Sequence, residues 1–97
     1  MTNEQKAFAI INAGKPVSVN LHGIVLNGVA VHEVEVTGLG LVVTGARAVV
    51  PWGDRVMLIE WKRGETVDSA APLQFWDEAS AVAIKLRRRL HPKGVKP

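Results

Sequence analysis

The sequence has 97 residues, 47% of them apolar and 22% charged, with no cysteine. That is the length of one domain, its composition argues against a disordered chain, and a disulfide framework or Cys-ligated metal is excluded. The net charge of +3 is unevenly held: residues 85–97 carry six Lys/Arg and no acid, which leaves residues 1–84 with six cations against nine acids.

Basicity is thus a property of the C-terminal segment, not of the body. No apolar run reaches the ~18 residues that span a bilayer. Residues 1–6 lack the basic start and long apolar core of a signal peptide. A single cytoplasmic domain over residues 1–97, with no membrane contact, is the expectation.

Taken in order, Thr2 or Asn3 can cap a helix over 4–13, with Ala7, Phe8, Ile10 and Ile11 on its apolar side. Gly14 ends it, and Lys15-Pro16 leads into a strand. Val17, Val19 and Leu21 alternate with Ser18 and Asn20, the period of a half-buried strand. His22-Gly23 breaks the run as a tight turn. Ile24 and Leu26 restart it, and Gly28 marks a place where the new strand can bend sharply.

The alternation continues less cleanly through Val29–Val36, with Val34 and Val36 on one face and Glu33 and Glu35 on the other. Gly38 and Gly40 mark a turn. Leu41–Thr44 reads as a third strand, Gly45 as a further turn or bulge, and Ala46–Val50 as a fourth strand ended by Pro51. Trp52-Gly53-Asp54 is a tight connection to a fifth strand, Arg55–Trp61. Five short strands within residues 16–61 are close to the minimum for a small barrel. Residues 62–76 read as a loop. A second helix and basic tail cover 77–91 and beyond, with Asp77 as N-cap and Ala79, Val82, Ala83, Leu86 and Leu90 as the docking stripe. Pro92 stops it.

Two stretches carry a resemblance. Val19, Leu21, Gly23, Leu26 and Gly28 resemble the first motif of the Sm/Lsm family, the Hfq-like RNA-binding ring proteins. Val49-Val50-Pro51-Trp52-Gly53-Asp54-Arg55-Val56 looks like that family's second motif, with Trp52 in the Arg or Tyr place. Together they cover roughly residues 4–61. The resemblance implies a mainly β fold: a small five-stranded bent-sheet barrel with an N-terminal helix, here with an added C-terminal helix. It also implies a homo-oligomeric ring of five to seven subunits, joined through Ala46–Val50 and Arg55–Trp61, that binds single-stranded RNA.

The RNA-binding residues implied are Thr37, Gly38 and Leu39 in one loop and Trp52, Gly53, Asp54 and Arg55 in the other. The sequence departs from the family pattern at these loops: no aromatic stands near Thr37–Gly40, and the Lys-His of Hfq is absent. Arg87, Arg88 and Arg89, with Lys93 and Lys96, would add salt-sensitive, sequence-blind affinity for phosphates. Trp61 and Trp76 read as core or interface anchors.

No enzyme is expected. His22, His32 and His91 share no metal-ligand spacing, Glu33 and Glu35 read as solvated charges, and no nucleophile–base pair, P-loop or dinucleotide fingerprint occurs. No cofactor or metal follows. Two other readings are a PilZ-like domain sensing a cyclic dinucleotide, from Glu35–Gly40, and a structural ring protein of a phage or other mobile element.

Overall fold

The structure, a computed structural model, describes residues 1–92. Its order is α1 (Asn3–Ala13), β1 (Lys15–Leu21), β2 (Ile24–Thr37), β3 (Gly40–Trp52), β4 (Arg55–Lys62), a 3-10 turn (Val67–Ser69), β5 (Pro72–Asp77) and α2 (Ala81–Leu90). The five strands form one antiparallel sheet in the order β1-β2-β3-β4-β5.

Helix α1 starts where expected because Thr2 closes a capping box. Its hydroxyl accepts from the Gln5 N–H, and the Gln5 side chain returns to the Thr2 N–H. The β1–β2 hairpin turns on His22 and Gly23, both at positive φ (51° and 85°), the pair that a two-residue type I′ loop needs. The His22 N–H is also donated to Asp68 Oδ1 at 2.7 Å, which ties this turn to the 3-10 segment.

The sheet has two covered faces. On one, Val29, Val49, Val56 and Leu58 meet Ala7, Ile10 and Ile11 of α1 and Val82, Ala83 and Leu86 of α2. On the other, Val19, Leu21, Ala30, Ala48, Val50, Met57 and Ile59 pack together, with Val67 and Ala70 laid against them. Adjacent residues of β4 therefore serve opposite cores, as strand alternation dictates. Leu58 and Ile59, 0% and 2% exposed, are the clearest case.

The expected barrel over residues 16–61 does not close. The sheet curls around its second core, but no ladder joins β1 to β5 among the described residues; the 3-10 turn fills that side instead. The strand divisions also differ. Residues 41–44 and 46–50 are one strand, β3, because Gly45, expected as a turn or a bulge, stands at a bulge. It pairs with Glu33, where the register slips between Glu33 and Val34 and leaves Thr44 unmatched. The fifth strand expected at 55–61 is thus the fourth, and the fifth lies at Pro72–Asp77, over the end of the expected loop at 62–76 and the expected helix N-cap at Asp77. It pairs with the first half of β4. Helix α2 begins later than 77: Ser80, not Asp77, is its N-cap, accepting from the Ala83 N–H.

Beyond the reach of β1 and β4, the distal parts of β2 and β3 run on alone as a two-stranded arm. The molecule is correspondingly long, 50 × 26 × 25 Å. At the arm's base Arg47 reaches Glu33, Nη2 to Oε2 at 3.7 Å.

Candidate functional site

The continuity of β3 through Gly45 decides where the expected RNA-binding residues stand. Thr37, Gly38 and Leu39 form the β2–β3 turn at the arm's tip. The Thr37 hydroxyl donates to Gly40 O at 2.9 Å and accepts from the Leu39 N–H at 3.1 Å. Trp52, Gly53, Asp54 and Arg55 form the β3–β4 turn, where Trp52 pairs with Arg55 and Gly53 takes a positive φ. The two turns cap opposite ends of β3, a 13-residue strand that spans about 40 Å when extended. One turn more in residues 41–50 would have brought them to the same end. Within a single chain they do not meet.

At the second turn, Arg55 Nε lies 3.9 Å from Asp77 Oδ1, both well exposed, a contact of little energetic weight. The backbone N–H of Glu78 donates to Asp54 O, which fastens the turn to the segment entering α2. Trp52 is only partly covered. Trp61 and Trp76 are half-buried, packed at the margins of the second and first cores respectively.

The three arginines of α2 divide between two tasks. Arg89 reaches across to α1, and its Nη2 donates to Gly14 O at 2.8 Å. That fixes the carbonyl at the end of α1 and leaves Arg89 half-buried. Arg87 and Arg88 are exposed, as is Lys85. Lys85, Arg88 and Arg89 converge with Asn12 and Ile11 on a groove of about 280 Å³ between the two helices. No carboxylate lines it, and none of the ion pairs among the described residues involves these cations. Lys93 and Lys96, expected to extend the basic tail, lie outside the described residues.

A second hollow, of about 410 Å³, opens where the sheet fails to close. Val17, Val19, Ala30, Trp61 and Val67 give it an apolar floor, and His32 and Asp68 stand at its rim. It continues past His32 into a hollow of about 440 Å³ that Val43, Ala46 and Trp61 share. The row His32–Ala46–Trp61 explains the shape. These residues are cross-strand partners on β2, β3 and β4, and the small Ala46 leaves a trough between two large rings. The sequence reading missed this groove. Its only trace there is the parity of Ala30, His32, Val34 and Val36, which puts all four on one face of β2.

Among the described residues, no three His, Asp or Glu side chains gather closely enough to hold a metal ion, and no helix is long and apolar enough to cross a membrane. No family model, curated protein or solved structure matches the chain.

Proposed function

We propose that this chain is a binding module for single-stranded RNA that grips the phosphate backbone through the groove between α1 and α2. The observation that carries this reading is the convergence of Lys85, Arg88 and Arg89 beside Asn12 with no acid among the groove's lining residues. A body of net negative charge would otherwise repel a polyanion. Its cations are therefore useful only where they are gathered and unopposed. Lys85 and Arg88 supply the charge, Asn12 supplies amide donors, and Arg89 holds the groove's two walls together through Gly14. Such a site reads charge and spacing, not sequence.

This reading differs from the one that the Sm-like motifs imply. It uses Arg88 and Arg89 of the expected residues and does not depend on the two turns at opposite ends of β3. It needs no ring, since the groove is complete in one chain. Assembly of several copies would strengthen it by avidity.

Fluorescence anisotropy of labelled oligo-U and oligo-A, titrated at several salt concentrations, tests it. Both should bind, with affinity falling steeply as salt rises. The double variant K85A/R88A should flatten the log–log salt slope by about 1.4, from two lost phosphate contacts at ~0.7 each on a single strand. Absence of binding at low salt, or an unchanged slope in K85A/R88A, would refute the proposal.

A further inference from the structure

We infer that the β2–β3 arm is a dimerisation element whose partner is the arm of a second copy of this chain. The inference is independent of RNA binding and rests on a different face of the molecule.

The arm pairs Val34 with Val43 and Val36 with Leu41. Cross-strand partners share a face, so these four side chains form one apolar surface. Leu39 stands in the turn at the tip, beyond the last pair, Thr37 with Gly40. None is covered: Val34 is 54% exposed, Val36 79%, Leu39 101%, Leu41 70% and Val43 51%. The charged residues Glu33 and Glu35 stand on the opposite face, so a partner seated on the apolar side would bury neither. A bare two-stranded ribbon is marginal in water, and this one has unpaired backbone along its outer edges as well.

A second copy fits this surface for three reasons. First, a patch that is apolar throughout, with its acids turned away, is complementary to itself, as a two-fold interface requires. Second, the area suits. These side chains offer on the order of 500 Å² per copy, at the upper end for a monomer's largest patch. Doubled across a two-fold, this reaches about 1,000 Å², the lower bound of a specific interface. Third, a receptor for the tip exists. With the two arms stacked face to face and antiparallel, the tip of each, with its fully exposed Leu39, comes over the base of the other's arm and the trough there. There Val43, Ala46 and Trp61, beside His32, form the apolar side of a hollow of about 440 Å³ whose other wall is residues 62–65, two cations and an acid among them.

Light scattering of the wild-type chain at micromolar concentration should give twice the chain mass. V36E/L41E, which places two carboxylates on an already exposed face, should give the monomer mass with an unchanged circular dichroism spectrum. A pair of cysteines, L39C/K62C, adds a geometric test in a chain with none of its own. Lys62 opposes Gly45 at the arm's base, which is too far from the tip for a bond within one chain. The oxidised variant should therefore run as a covalent dimer, and it should stop doing so when V36E/L41E is added. A monomeric wild type would overturn the inference and leave the face for another protein. A mass of five to seven chains, or a dimer that survives V36E/L41E, would overturn the arm-to-arm arrangement equally.

Discussion

Single residues in this chain carry weight when they stand between backbones. Gly28 is such a residue. A Cβ there would lie 2.7 Å from Val49 O and 2.9 Å from Val50 Cγ2, and a backbone carbonyl in a sheet cannot step aside. Gly28→Ala should therefore lower stability by about 1–3 kcal/mol in urea unfolding. Gly38→Ala, where an added Cβ meets nothing within 4 Å, should stay within about 0.5 kcal/mol. Equal losses in the two would contradict the close-approach account. Arg89 is the other such residue. Arg89→Ala strands Gly14 O at the end of α1 and should cost about 1–3 kcal/mol. Arg88→Ala, exposed on the same helix, should leave stability nearly unchanged while weakening RNA binding. If both arginines affected only binding, the separation of roles along α2 would be wrong.

Elements differ in how openly the sequence declares them. Helix α1 and the β1–β2 hairpin were legible because their determinants are local: a capping residue, a clean alternation, a turn pair at positive φ. Thr2→Ala removes the capping box and should lower the thermal midpoint by the equivalent of about 1 kcal/mol, visible as a shifted melt with unchanged native helicity. Other elements were set by contacts distant in sequence. Gly45 looks like a turn residue. Its part in a continuous strand is decided by Glu33 on one side and Lys62 on the other. A turn there would make two strands of β3 and put the Trp52–Arg55 turn at the same end as Thr37–Leu39; the bulge keeps one strand and holds them at opposite ends. Strand β5 was hidden because it begins with Pro72 and exposes most of its side chains, so it shows neither a buried run nor clear alternation. Its existence depends on β4 offering an edge. The start of α2 is masked because Asp77 and Glu78 look like a first turn, whereas Asp77 is held in the β ladder opposite Arg55. Of the candidate site, the arginines of α2 were legible as charge. Their convergence with Asn12 was not, since it requires α1 and α2 to lie side by side.

At the scale of the whole molecule, the chain is a body with two cores and an arm with none. The body's stability comes from side chains such as Leu58, and Leu58→Ala should cost about 2–5 kcal/mol. The arm contributes a surface instead, and its aim is set by the bulge at its root. Thr44 is the extra residue there. Its hydroxyl donates to Glu33 O at 3.3 Å, and its carbonyl accepts from the Arg63 N–H at 3.0 Å. Because the bulge adds one residue to β3 alone, removing Thr44 would leave each distal pair, Val34 with Val43 and Val36 with Leu41, matched as before. What would change is the direction in which the ribbon leaves the body, since a bulge bends and twists its strand. A one-codon deletion thus acts as a protractor: it alters angle while conserving composition of the gripping face. Any assembly built on that face should respond with a change in shape, read by small-angle scattering, rather than with a loss of contact.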